Sequence, residues 1–157
     1  MTDAPGITEA PDATRTLRMS RSFDVPVERL FAAWTDPEQV CQWMGTENVS
    51  CRVGRWDFQE GGAYEIILLS PENKEHGAQG VFGTIDPPNR LTLSWTWQHE
   101  GEMQGVETFL DLKFVATDAS ASELQLTHTM LPSDDTADAH AGGWQGALGC
   151  LEDYLAG

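Results

Sequence analysis

Few side chains in this chain are placed to do chemistry, and His128 is the sharpest of them. It lies in the alternating run Leu124, Leu126, His128, Met130, on the apolar side of a strand pattern. An imidazole there has two readings. It is a pocket group that binds a carboxylate or carbonyl or carries a proton, or it is a core histidine with a backbone partner. Tyr64 and Thr108 occupy similar apolar registers and carry hydroxyls. His76, His99 and His140 are scattered through expected loops or helix starts and read as solvated. The chain has no G-x-S-x-G elbow, no H-E-x-x-H pair and no phosphate-cradling glycine loop. Its cysteines are Cys41, Cys51 and Cys150, with no C-x-x-C spacing, so neither a zinc knuckle nor a thioredoxin motif is present. The odd count reads as reduced thiols. No catalytic set, metal site or cofactor follows from these residues.

The elements that hold these groups are clearer. A first strand is expected over Thr16–Val25, where Leu17, Met19, Arg21 and Phe23 alternate with polar residues. Pro26 opens a helix whose apolar face is Val27, Leu30, Phe31 and Trp34. Asp36 and Pro37 start a second, carrying Val40, Trp43 and Met44, with Gly45 placed to end it. Strands follow over Val49–Phe58, Tyr64–Leu68, Gln79–Ile85, Leu91–Trp97, Val106–Phe114 and Leu124–Met130. Short turns between them, Gly61-Gly62 and Pro87-Pro88 included, imply an antiparallel meander.

The last element is a long helix starting near Ser133–Asp135. Asp134, Asp135 and Asp138 crowd its first turns and complement the helix dipole. Trp144, Leu148, Leu151 and Leu155 fall at i, i+4, i+7 and i+11 and make one apolar stripe. Gly142, Gly146 and Gly149 face the other way. Each costs about 1 kcal/mol relative to Ala, so the stripe and not propensity must hold this helix. The glycines read as a weakness rescued by packing, or as a face that loosens for a ligand or meets a partner.

A helix lying on an arched sheet can enclose a cavity. The inward set from the strands is Tyr64, Ile66 and Leu68; Leu91, Leu93, Trp95 and Trp97; Leu110 and Leu112; and Leu126, His128 and Met130. Trp144, Leu148 and Leu151 press down on it. These residues line an open cavity of the roughly 300–1,000 Å³ usual for small molecules, or they fill it, since six tryptophans occupy much of an arch.

Composition narrows the partners. The chain has 157 residues and a net charge of −16, from 25 acids against 9 bases. That field repels nucleic acid and anionic membranes and keeps the protein soluble. No run reaches the length of a membrane span. Residues 1–14 read as a flexible tail and 15–157 as a single domain. The start carries Asp3, Glu9 and Asp12 with no Lys or Arg, unlike a signal peptide, so a cytoplasmic monomer or homodimer is expected.

Four segments together resemble one family. They are Val25-Pro26-Val27-Glu28-Arg29-Leu30-Phe31-Ala32-Ala33-Trp34-Thr35-Asp36-Pro37-Glu38 with Gln42-Trp43, and Asp57-Phe58-Gln59-Glu60-Gly61-Gly62-Ala63-Tyr64. The third is Gly80 with Asp86-Pro87-Pro88-Asn89-Arg90-Leu91 and Ser94-Trp95. The fourth is Leu124-Gln125-Leu126-Thr127-His128 with the Gly143-Trp144 helix. In order and spacing the chain resembles the START-like (SRPBCC) superfamily, and within it the homologues of the activator of heat-shock-protein-90 ATPase (AHSA-type). The resemblance implies an α+β helix-grip (START/Bet v-like) fold: a curved antiparallel sheet of six or seven strands on a long C-terminal helix, with two short helices after the first strand. It implies three functions. The first is non-catalytic binding of a hydrophobic or amphipathic small molecule between sheet and helix, such as a lipid, with His128 or Tyr64 orienting one polar group. The second is a co-chaperone-like or stress-response interaction with a protein partner. The third is a cyclase- or hydrolase-like enzyme built on His128 and Tyr64.

Overall fold

The computed structural model describes residues 14–44, 49–98 and 103–157. The expected tail up to Ala13, the Gly45 stop and His99 lie outside them. Strand β1 (Arg15–Phe23) leads into α1 (Val27–Thr35) and α2 (Pro37–Trp43). Then come β2 (Ser50–Trp56), β3 (Ala63–Leu69), β4 (Glu75–Asp86), β5 (Arg90–Trp97), β6 (Glu107–Asp118) and β7 (Ala121–Leu131), and finally α3 (Asp134–Ala156). The strands form one antiparallel sheet in the order β1-β7-β6-β5-β4-β3-β2. It is a meander whose last strand takes β1 as its outer neighbour, and the two helices carry the chain from one sheet edge to the other.

Local chemistry sets the helix ends. The Asp36 carboxylate accepts a hydrogen bond from the Glu38 N–H, and Pro37 fills the first turn of α2. Ser133 and Thr136 make a reciprocal capping box at the start of α3. Trp144, Leu148, Leu151 and Leu155 are all buried, as the stripe requires. α3 rests on β1 and β7 and touches α2. Arg21–Glu152 and Arg15–Asp134 ion pairs fasten β1 to it from outside, at 2.7 Å each. Being largely exposed, such pairs contribute about 1 kcal/mol at most.

Gly80 shows why its position takes no side chain. A Cβ there would run into the Ser94 carbonyl oxygen of the neighbouring strand. This close approach lies in the regular part of the β4–β5 ladder, between the Gln79↔Thr96 and Phe82↔Leu93 pairs and before the register shifts between Phe82 and Ile85. The clash is with backbone, which cannot swing away. Gly80→Ala is therefore expected to cost roughly 2 kcal/mol, read as an earlier urea midpoint with an unchanged slope.

One inward residue is corrected. Met130 is 47% exposed and has a φ of 68°. The β1–β7 pairing slips between Leu17↔His128 and Arg15↔Leu131, and this bulge turns Met130 outward. Leu131, fully buried, takes the inner place.

Candidate functional site

The space under the arch is divided. Towards the α1–α2 side it is packed solid. Trp34 and Trp43 meet edge to face with centroids 4.7 Å apart, and Phe82, Tyr64 and Trp56 interlock beside them. Towards the N-terminal half of α3 it is open. There a cavity of about 460 Å³ lies between α3 and the ends of β3, β4 and β5. The helix leans on β1 and β7, whereas β3 and β4 are remote from it. Trp95 and Trp144, with centroids 5.5 Å apart, close the inner end of the gap.

The walls are almost wholly apolar. Strands contribute Leu68, Trp95 and Trp97, and the helix contributes Ala139, Gly143, Trp144 and Ala147. Met44, Val49 and Met103 complete the rim, where Ser70, His76 and His140 supply the polar atoms. Among the described residues no Asp, Glu, Lys or Arg lines the cavity, in a chain of net charge −16.

The site residues expected from the sequence are therefore distributed unequally. Leu68, Trp95, Trp97 and Trp144 line the cavity. Tyr64 and Ile66 sit in the packed half, and Leu110, Leu112, Leu126, Leu148 and Leu151 are buried core. His76 and His140, read as solvated from sequence, are on the cavity wall instead. Their positions carry a signal: His140 stands four residues before Trp144, one turn up the same helical face, and His76 pairs directly with Leu68 across β3–β4.

His128 is fully buried and spends both ring nitrogens internally. The Trp144 indole N–H donates to its Nδ1 at 3.2 Å. Its Nε2–H then donates to Thr108 Oγ1 at 2.7 Å, and that hydroxyl donates to the Trp95 carbonyl at 2.7 Å. The chain of bonds fixes one tautomer. Burial, reinforced by the nearby His140, lowers the His128 pKa to about 3. The ring is therefore a neutral tie between helix and sheet, with no lone pair left for a substrate. The Tyr64 hydroxyl likewise donates to the Ser94 carbonyl, and burial pushes its pKa up.

His140 forms a second tie, nearer the mouth. Its Nδ1–H donates to the Thr136 carbonyl at 2.7 Å, and its Nε2 accepts from the Trp97 indole at 3.0 Å. Two of the wall indoles thus have their N–H groups bound to histidines. The third, Trp95, has a buried indole N–H with no hydrogen-bond partner among the described residues.

A meandering sheet gripping a C-terminal helix, with an apolar cavity under the helix and two short helices after the first strand, defines a helix-grip domain. The family model of the Activator of Hsp90 ATPase homolog 1-like protein matches residues 24–156, and the chain belongs to that family. Similar solved structures span nearly the whole chain. The AHSA1 protein of Silicibacter pomeroyi is 26% identical, with a TM-score of 0.79 over 90% of this chain and 98% of its own. A Chromobacterium violaceum protein is 22% identical, with a TM-score of 0.78 over 88% and 95%. An Arthrobacter aurescens protein is 19% identical, with a TM-score of 0.79 over 94% and 89%. The last two share the fold. No curated protein matches the chain. No helix among the described residues is long and apolar enough to cross a membrane.

Proposed function

We propose that this domain binds a hydrophobic or amphipathic small molecule in the cavity between α3 and strands β3–β5, without transforming it. The observation that carries this reading is the cavity itself: about 460 Å³, walled by indole faces and aliphatic groups. That volume falls within the range of small-molecule sites, and the sparse polar groups suit a ligand that is mainly apolar. Affinity would come from apolar area removed from water, at about 25 cal/mol per Å². The polar end of an amphipathic ligand would lie towards the rim at Ser70 and His76, since both ring nitrogens of His140 are already bound. Leu68, Trp95, Trp97 and Trp144 are the contact residues.

Binding can be read from the protein's own fluorescence, because three of the six tryptophans line the cavity. Titration with N-phenyl-1-naphthylamine, a neutral apolar fluorophore, should give saturable energy transfer at one probe per chain. An unsaturable, linear signal counts against the pocket. A protein partner, which the family's description suggests, would then become the leading role. Pull-down of a chaperone from lysate in physiological salt would be its test.

A further inference from the structure

Cys41 and Cys51 are ten positions apart and belong to different elements, α2 and β2. Their sulfurs nevertheless meet, at 2.6 Å, and both are half-buried free thiols. No movement of helix or strand is needed to bring them together. Each also adjoins the cavity wall: Met44 follows α2 and Val49 precedes β2, and both residues line the pocket. Cys150, on α3, is the remaining cysteine and has no such neighbour in the sequence pattern.

We propose that Cys41 and Cys51 are a modification site, a reversible dithiol–disulfide pair that staples α2 to the edge strand β2. The co-reactant is a low-molecular-weight disulfide of the glutathione type. Cys41 loses its proton and attacks one sulfur of that disulfide. The disulfide bond breaks, one glutathione thiolate leaves and takes up a proton, and Cys41 carries the other half as a mixed disulfide. Cys51 then loses its proton and attacks the Cys41 sulfur, expelling the second glutathione as a thiol. The protein gives up two electrons and two protons, and the reagent receives both. Cys41 is placed first because burial, with the Cys41 thiol beside it, holds the Cys51 thiol well above its ordinary pKa. The pair stands whether or not the cavity holds a ligand.

The test needs only the full chain. Trypsin releases both cysteines on one peptide, Leu30–Arg52, which has no Lys or Arg inside it. Native protein, wild type and Cys150→Ser, is incubated with glutathione disulfide, alkylated and digested. The expected result is a Leu30–Arg52 peptide lighter by two hydrogens and unalkylated, monomeric protein on a non-reducing gel, and full reversal by dithiothreitol. Closing so short a loop should also raise the melting temperature by about 5 °C. Cys41→Ser should abolish both effects, and Cys51→Ser repeats the test should Cys41→Ser fail to fold. The proposal is overturned by a peptide alkylated at both cysteines, by a mixed disulfide that persists, by chains linked to one another, or by a bond that forms only in urea.

Discussion

Gly143→Leu should abolish ligand retention while leaving the protein folded, and slightly more stable. Gly143 lies on the cavity side of α3, one turn after Ala139 and next to Trp144. A Cβ at this position meets nothing within 4 Å, so a side chain enters open space rather than a neighbour. The isobutyl group would take up room that the ligand needs. Replacing Gly in a helix interior also stabilises it by up to about 1 kcal/mol. The two effects have opposite signs, which is what makes the variant informative. Probe affinity is expected to fall at least about tenfold, equivalent to 1.4 kcal/mol, while the melting temperature holds or rises. Ala139→Leu, one turn earlier on the same face, should act alike. Unchanged affinity in both variants would place the binding site elsewhere. Trp144→Ala is the more obvious choice but a poorer one, because the Trp144 indole also holds His128. Its loss would mix binding with folding.

His128→Ala should have the opposite profile, a large loss of stability with no direct removal of pocket wall. The change strands the Trp144 indole N–H, deprives Thr108 Oγ1 of its donor and opens a hole in the core. The combined cost is about 3–5 kcal/mol at pH 7, a large part of a typical domain's stability. The same ring makes the fold acid-sensitive. In the native protein its pKa is lowered from 6.5 to about 3, so the folded state keeps it neutral while the unfolded chain takes a proton. Stability is therefore fully present above pH 6.5 and is lost as pH falls from 6.5 towards 3, by about 1.4 kcal/mol per pH unit from this group. Urea melts at pH 7, 5.5 and 4.5 should show the wild type losing stability faster than His128→Gln, which has no proton to take. Parallel pH profiles for the two proteins would show that His128 is not held neutral. A His128→Ala protein as stable as the wild type at pH 7 would dismiss the tie altogether.

Much of this architecture is legible in the sequence because it rests on period and capping. The stripe from Trp144 to Leu155 needs only 3.6-residue geometry, and the Leu91–Trp97 alternation needs only the pleat of a strand. Met130 is not legible in the same way. A bulge inserts one residue against the partner strand, and a single slip exchanges inside for outside. The cavity depends on still longer-range facts. Trp34 and Trp43 come from α1 and α2 and fill one half of the arch, whereas the tilt of α3 towards β1 and β7 leaves the other half open. No local pattern encodes which half. His128 divides the same way: its burial follows from strand register, but the closure of both nitrogens depends on Thr108 and Trp144, which come from β6 and α3. The Cys41–Cys51 contact has no motif at all. It arises because α2 packs on β2.

Native mass spectrometry tests the binding claim most directly. Wild type and Gly143→Leu are purified gently from the same cell lysate and weighed intact, then denatured and the released material analysed. The account predicts one small apolar or amphipathic molecule per wild-type chain and a bare chain for Gly143→Leu. Equal retention of the same molecule by both proteins would contradict it, as would a bare wild-type chain that also shows no saturable uptake of the fluorescent probe.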